Sequence, residues 1–88
     1  MGSKPRRYKV SLKPSAEREL AGLPKKDRKK VARKIEDLAG DPRPHGVERI
    51  RGGDALYRVR TGAYRIIYQI DDKVLVVLVV MIGHRGDI

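Results

Sequence analysis

The chain of 88 residues contains no cysteine, tryptophan or phenylalanine, and its aromatic rings are four tyrosines and two histidines. Without cysteine, disulfides and thiolate metal sites are excluded, and His45 and His84 are the only imidazoles. The longest apolar run, residues 74–82, is too short to span a bilayer and is rich in β-branched side chains. No apolar stretch of signal-peptide length follows the basic start. We therefore expect a cytoplasmic protein with no membrane partner.

Acidic residues are also scarce. Only 11 Asp and Glu residues oppose 21 Lys and Arg residues, which gives a formal net charge of +10 and a pI near 10.3. Such an excess on a small chain is typical of a protein whose partner is a polyanion, such as nucleic acid or an acidic protein. The length predicts one small domain, residues 1–88, with one modest core.

Hydrophobic periodicity predicts a strand followed by two helices in the first half of the chain. Tyr8, Val10 and Leu12 alternate with polar residues, as the residues of a half-buried strand do. Helical spacing follows over residues 14–22 and again over residues 24–40, with a proline at the start and a glycine at the end of each segment. Two short antiparallel helices in succession predict a helical hairpin.

The second half of the chain is predicted to be a loop and three strands. Residues 41–53 are rich in proline, glycine and charge and predict a loop. Strands are predicted at about 55–60, 63–70 and 74–82, and the last should be central because it is apolar on both faces. The order β-α-α-β-β-β predicts an α+β fold: a mostly antiparallel four-stranded sheet with the helical hairpin on one face. The predicted core joins Leu20, Leu23, Val31, Ile35 and Leu38 to Val10, Val59, Ile66 and Val77.

The stretch LYRVRTGAYRIIYQI, residues 56–70, places three arginines on one face of a predicted hairpin. With Thr61-Gly62 as a two-residue turn, Arg58 lies opposite Arg65, and Arg60 shares their face. Like charges opposed across a sheet are destabilising. Either the arginines belong to a solvated face and their stems cover apolar surface, or their guanidinium groups bind an anion, most naturally phosphate.

A second basic region lies on the second predicted helix. Seven of the ten residues from 25 to 34 are Lys or Arg, and with Val31 and Ile35 turned inward they form a stripe on the outer side. Charge runs are commonly solvated surface, but together with the arginines of the hairpin this stripe favours contact with nucleic acid. The candidate contact residues are Lys25, Lys26, Arg28, Lys29, Lys30 and Arg33.

Several segments together resemble the RelE branch of the RelE/ParE toxin superfamily. They are ERIRGGDALYRVR, TGAYRIIYQIDD and the closing VVMIGHRGDI, in the element order given above. The resemblance covers nearly the whole chain. It implies a type II toxin that enters the ribosomal A site, cleaves the mRNA there without a metal or other cofactor, and is inhibited by an antitoxin. The implied partners are that antitoxin, the ribosome with its rRNA and A-site mRNA, and operator DNA only together with the antitoxin.

The resemblance also implies which residues act. The family's basic catalytic positions match Arg58, Arg60, Arg65 and Arg85, and a position that helps hold RNA matches Arg51. Members commonly carry a further tyrosine that stacks on an A-site base, and the sequence given ends at Ile88 before any such residue. The resemblance therefore assigns no residue of this sequence to that role.

The general base is left open, because arginine stays protonated and many relatives have lysine where Arg58 and Arg60 stand. Sibling toxins use a histidine or a glutamate near the positions of His84 and Glu48. His84 could instead face solvent or bind a backbone carbonyl. Glu48 could instead form a surface ion pair with Arg49 or Arg51.

Two functions compete with mRNA cleavage. ParE-like members of the superfamily inhibit DNA gyrase without catalysis, and they generally lack the arginines matched by Arg58, Arg65 and Arg85. The third function is that of an inactive, regulatory nucleic-acid-binding homologue. The three arginines favour the endoribonuclease.

Overall fold

The computed structural model describes residues 7–50 and 55–84. The elements in chain order are β1 Lys9–Leu12, α1 Pro14–Ala21, α2 Lys25–Asp37, β2 Glu48–Ile50, β3 Leu56–Thr61, β4 Tyr64–Asp71 and β5 Val76–His84. In these two described segments, neither helix is long and apolar enough to cross a membrane.

A proline lies at the start of each helix, but only α1 has it as its first residue. Pro14 is the first residue of α1, where the missing N–H costs nothing because no carbonyl precedes it in the helix. Pro24 lies one step earlier relative to its helix, at the N-cap of α2, so the prediction that it is the first helical residue is wrong by one position. Gly22 ends α1, whereas α2 ends at Asp37, three residues before Gly40.

Over residues 7–50 and 55–84, the sheet has five strands in the order β1-β5-β4-β3-β2. β1 pairs with β5 in parallel, and the other neighbours pair antiparallel. The α+β class and the interior position of β5 are confirmed, whereas the strand count of four is wrong. The additional strand is β2, which lies within the predicted loop. Its sequence, Glu-Arg-Ile, is too short to carry an alternating pattern, and it is a strand because it pairs with β3.

One face of the sheet is covered by the two helices. The buried core contains Val31, Ile35 and Leu38 of the helical segment together with Val59, Ile66 and Val77 of the sheet, as predicted. Leu20, Leu23 and Val10 are partly buried against it. The other face of the sheet, called the open face below, is not covered by either helix.

An irregularity in β5 allows this strand to keep its apolar side chains in the core. The pairing with β4 shifts between Ile67 and Tyr68, so that Val80 is an extra residue between the partners of these two. Val77, Val79 and Ile82 are therefore all buried although their numbers do not alternate regularly. The backbone N–H of Ile82 donates to Glu19 Oε1 of α1 at 2.8 Å.

The β3–β4 hairpin turns one residue later than predicted. Its turn residues are Gly62 and Ala63, and Thr61 pairs with Tyr64. Gly62 has φ of 59°, and a two-residue turn with positive φ at its first central position favours glycine there. The arginine directly opposite Arg65 is consequently Arg60, and Arg58 lies opposite Ile67. The correction moves the pairing by two residues in total, so every side chain stays on its predicted face.

Candidate phosphate-binding site on the open face

Three arginines, called the arginine cluster below, lie side by side on the open face. Arg58 and Arg60 alternate with core residues along β3, and Arg65 does the same on β4. Arg60 and Arg65 are directly paired across the two strands. The predicted grouping of Arg58, Arg60 and Arg65 is therefore present in the structure, with Arg60 rather than Arg58 as the direct neighbour of Arg65.

Glu48 of β2 is the acidic partner of the cluster. The β2–β3 register places Glu48 opposite Arg58 on the open face. Arg58 donates two hydrogen bonds to the same carboxylate oxygen, Oε1, from Nη2 at 2.7 Å and from Nε at 3.0 Å. Among the described residues, Glu48 thus forms its ion pair with Arg58, ten residues away in sequence and adjacent in the sheet, and not with Arg49. The alternative pair with Arg51 lies outside the described residues.

The charge of the cluster holds Glu48 in its ionised form. The hydrogen bonds from Arg58 lower the pKa of the Glu48 carboxyl below its ordinary value, and the positive charges of Arg58, Arg60 and Arg65 lower it further. Glu48 is therefore a carboxylate throughout the neutral pH range. The cluster and Glu48 together have a formal charge of +2 within the described residues.

The open face also contains a small buried apolar patch beneath the arginines. Ile67 is only 9% exposed although no helix covers it. Its cross-strand neighbours are Arg58 on one side and Met81 on the other, and Arg65 lies two residues away on β4. Long arginine stems can bury apolar surface while their charged ends stay hydrated. The first interpretation therefore applies at least in part, since arginine stems lie beside Ile67 and the Nε atom of Arg65 is itself buried. Binding of an anion by the guanidinium groups stays a prediction.

His84 lies apart from the arginine cluster. It is paired with Tyr64 at the end of β5, on the face that carries Ile82 and the helices. The two rings contact edge to face with their centroids 5.4 Å apart, and the Tyr64 hydroxyl donates to Asp27 Oδ2 at 2.8 Å. This hydrogen bond to a carboxylate raises the pKa of Tyr64. The sheet thus separates His84 from Arg58, Arg60 and Arg65, whereas Glu48 is beside them.

The predicted basic stripe on α2 is exposed, and it faces away from the sheet. Val31 and Ile35 are 0% and 4% exposed and direct the opposite side of α2 to solvent. The six candidate residues Lys25, Lys26, Arg28, Lys29, Lys30 and Arg33, called the basic helix surface below, are all exposed. Because α2 covers the other face of the sheet, this surface and the arginine cluster lie on opposite sides of the molecule.

Two further predicted residues, Arg51 and Arg85, lie outside the described residues. Arg51 follows β2 directly, and Arg85 follows β5. Their predicted roles in holding RNA and in catalysis stay predictions.

A polar network around Arg43 was not predicted from the sequence. Arg43 donates to both carboxylate oxygens of Asp72, at 3.2 and 2.8 Å, and Tyr8 donates to Asp72 Oδ1 at 2.6 Å. The guanidinium group also lies over the Tyr57 ring at 5.2 Å. The network joins the loop before β2 to the β4–β5 turn. The bonded pairs Arg43–Asp72 and Tyr8–Asp72 are 29 and 64 residues apart, and Arg43 and Tyr57 are 14 apart. Sequence spacing therefore contains no signal for this network.

A surface groove lies at the opposite end of the sheet from the arginine cluster. It has a volume of about 700 Å³, and apolar side chains of Ala55, Val74, Val76 and Leu78 line it together with residues of the β4–β5 turn. Of the predicted catalytic residues that the structure describes, namely Glu48, Arg58, Arg60, Arg65 and His84, none lines it. The groove and the arginine cluster are therefore separate features of the surface.

The family model, a related sequence and two related structures all match this chain to toxins of toxin-antitoxin systems. Residues 10–88 match the family described as ParE toxin of type II toxin-antitoxin system. Toxin RelG of Mycobacterium tuberculosis is 32% identical over 82 residues, which cover 92% of this chain and 94% of that protein. The archaeal RelE-RelB complex from Pyrococcus horikoshii has a chain that matches with a TM-score of 0.82 and 30% identity, covering 93% of this chain and 99% of that one. A chain of the RelBE2 toxin-antitoxin complex from Mycobacterium tuberculosis matches with a TM-score of 0.78 and 30% identity, with coverage of 90% and 99%.

Proposed function

The chain belongs to the RelE/ParE superfamily as a RelE-type toxin of a type II toxin-antitoxin system, and we propose that it is a ribosome-dependent endoribonuclease that cleaves mRNA in the A site. The observation that carries this proposal is the arginine cluster with Glu48 beside it. Three guanidinium groups on one face, next to a carboxylate, are the groups that cleavage of an RNA phosphodiester uses.

RNA carries its own nucleophile, so the protein has to supply position and charge. The 2′-oxygen attacks the adjacent phosphorus and loses its proton, while the bond from phosphorus to the 5′-oxygen breaks and that oxygen gains a proton. The products are a 2′,3′-cyclic phosphate and a 5′-hydroxyl. Negative charge accumulates on the phosphoryl oxygens in the transition state, and fixed guanidinium groups stabilise it.

Each residue of the site has a proposed role in this reaction. Arg60 and Arg65, directly opposed on neighbouring strands, contact the phosphoryl oxygens of the scissile phosphate. Arg58 binds Glu48 in the free toxin and contributes a third positive charge. Arg85 and Arg51, which follow β5 and β2 in sequence, are proposed to assist in catalysis and in holding RNA respectively.

Glu48 is the preferred general base. A carboxylate can accept the 2′-hydroxyl proton, and Glu48 is ionised at neutral pH and hydrogen-bonded to a member of the arginine cluster. Histidine is a common general base, but His84 lies on the helix-covered face against Tyr64. In this proposal His84 therefore supports the end of β5 and does not take the proton.

The proposed partners follow from the charge and from the relatives. The basic helix surface binds rRNA electrostatically and holds the toxin on the ribosome while the opposite side of the molecule meets the mRNA. The chains from Pyrococcus horikoshii and Mycobacterium tuberculosis are in complexes with antitoxins, and we propose that a cognate antitoxin with acidic side chains binds this toxin. Contact with operator DNA is proposed only for the toxin-antitoxin complex.

Single-turnover cleavage of A-site mRNA on saturating ribosomes, with mapping of the new 5′ ends, tests the proposal. Arg65→Ala should lower the cleavage rate by about 10²-fold or more, because it removes a charge that stabilises the transition state. Arg49→Ala is the matched control, since Arg49 is an exposed arginine of β2 one residue away from Glu48 and paired opposite Tyr57. Thermal melts should show both variants folded. An Arg65→Ala variant that cleaves at the parent's rate would remove Arg65 from the catalytic site.

Inhibition of DNA gyrase is the second candidate, because the matching family carries the ParE description. A gyrase supercoiling assay with the parent chain decides between the two. Inhibition of supercoiling without any mRNA cleavage would favour the ParE-like function. A parent with neither activity would leave the regulatory nucleic-acid-binding homologue as the better assignment.

A further inference from the structure

Glu48 occupies a position that an incoming phosphate would need. Its Oε1 atom accepts hydrogen bonds from both Nε and Nη2 of Arg58, at 3.0 and 2.7 Å. These two nitrogens form one edge of the guanidinium group, and such an edge is where arginine binds carboxylate or phosphate. In the free toxin, this edge of Arg58 is therefore already bound to an anion that belongs to the protein itself.

The carboxylate stays close to the cluster whatever binds there. The β2–β3 pairing fixes the Glu48 backbone opposite Arg58, so only the side chain can move away. The ion pair is at the surface, with side-chain exposures of 29% for Arg58 and 51% for Glu48. Surface ion pairs of this kind contribute little to stability, so exchange of one anion for another at Arg58 is easy.

We propose that Glu48 is an internal competitor of the RNA phosphate, which it keeps off Arg58 until RNA displaces it. This inference rests on the proposed function, because it assigns a further role at the same site. Displacement leaves a negative side chain beside the bound phosphate, which weakens RNA binding to the isolated toxin. On the ribosome the basic helix surface contributes additional binding, and the displaced carboxylate is then next to the 2′-hydroxyl. The exchange thus limits phosphate capture to RNA that is held by other contacts as well.

Binding of a non-cleavable RNA separates this role from that of a general base. The probe is a short RNA with a 2′-deoxy sugar at the cleavage position, and its binding to the isolated toxin is measured by fluorescence anisotropy in about 0.1 M salt. Glu48→Gln should bind the probe roughly three- to tenfold more tightly than the parent, because one nearby negative charge is gone. Glu17→Gln is the matched control, since it removes the same charge from an exposed position on α1.

The Arg58→Ala background tests whether the competition is for Arg58. Without Arg58, the gain from Glu48→Gln should shrink to that of the Glu17→Gln control. Thermal melts of all variants establish that they are folded. Equal gains for Glu48→Gln and Glu17→Gln, or a full gain that persists without Arg58, would overturn the proposal. Binding of the probe by none of the variants would overturn it as well, because the cluster would then not capture phosphate.

Cleavage on ribosomes distinguishes failure of this inference from failure of the proposed function. A parent that cleaves mRNA while Glu48→Gln binds the probe no more tightly contradicts the competition alone. A parent that does not cleave, combined with tighter binding by Glu48→Gln, contradicts the proposed reaction and leaves the competition at Arg58 intact. If Glu48 has both roles, Glu48→Gln binds RNA more tightly and cleaves it more slowly.

Discussion

The two faces of the sheet accept different kinds of side chain from the same strands. Along β3, Tyr57 and Val59 point into the helix-covered core, whereas Arg58 and Arg60 alternate with them on the open face. On the covered face the helices exclude water, so volume and apolarity decide which side chain fits. On the open face water solvates charge, so arginines are tolerated at every second position.

The arginines of the open face oppose strand pairing, and the core does not require them. Arg60 directly opposite Arg65 opposes pairing of the strands, and the core on the other face does not depend on either side chain. Glu48 compensates part of the positive charge from a strand that has three residues. This combination of like charges with one carboxylate is the arrangement on which the proposed phosphate site rests.

The largest expected effect comes from placing charge on the covered face. Ile35→Asp should prevent folding, because an unpaired carboxylate at a position that is 4% exposed costs several kcal/mol, a large part of the stability of a small domain. Arg33→Asp, two residues earlier on the exposed side of α2, is the control and should fold. Circular dichroism melts check both. A cooperatively melting Ile35→Asp protein would contradict the assignment of the core.

The next largest effect tests whether the basic helix surface contributes to ribosome binding, as distinct from cleavage at the open face. Lys29→Ala combined with Lys30→Ala should weaken ribosome binding about tenfold and reduce its salt dependence, because two phosphate contacts are lost. The cleavage rate on saturating ribosomes should change little. Lys13→Ala with Lys73→Ala removes the same charge from exposed positions outside α2. Equal losses for the two pairs would mean that net charge, and not the basic helix surface, binds the ribosome.

A smaller effect tests a polar group within the covered face. Tyr68 is fully buried, and its hydroxyl donates to the backbone carbonyl of Pro42 at 2.7 Å. Tyr68→Phe leaves that carbonyl without this donor and should cost about 1 kcal/mol, or roughly 4–8 °C in the melting temperature. Tyr8→Phe, which loses a hydroxyl bonded to Asp72 at the surface, should cost less. The reverse order of the two costs would argue against this account of burial.

The smallest effect is the dependence of stability on acid pH. Hydrogen bonds from Arg43 and then from Tyr8 lower the pKa of Asp72 below its ordinary value of 3.8. A carboxyl whose pKa is lower in the folded state stabilises the protein above its unfolded pKa, and this stabilisation is lost as the pH falls through the folded pKa. The melting temperature should therefore fall below about pH 4. The Asp72→Asn variant should have a lower melting temperature than the parent at neutral pH, and its melting temperature should change less as the pH is lowered. If the melting temperature of Asp72→Asn depends on pH as that of the parent does, the ion pair between Arg43 and Asp72 does not stabilise the protein in solution.

Much of the fold could be predicted from local hydrophobic periodicity, because side-chain alternation in strands and helical spacing are properties of the backbone itself. The two helices, the strands flanking them, the core residues Val31, Ile35 and Leu38, and the grouping of Arg58, Arg60 and Arg65 on one face all follow from it. The grouping survived an error in the hairpin register because the error was an even number of residues in total. The net charge likewise needed no structure.

Tertiary structure decided the features that depend on pairing between distant residues. β2 has no pattern of its own and exists because β3 offers it a partner, and this pairing is what brings Glu48 to Arg58. The hairpin register depends on whether Gly62 is the first or the second residue of the turn. The sequence allows both positions, and the structure has Gly62 first, with a positive φ. The face on which His84 lies depends on the register of β5, which shifts by one residue at Val80. This strand is apolar on both faces, so its hydrophobic pattern does not reveal the shift. Pairing, backbone angle and register are set by the free energy of the whole fold, and for this reason local sequence patterns did not reveal them.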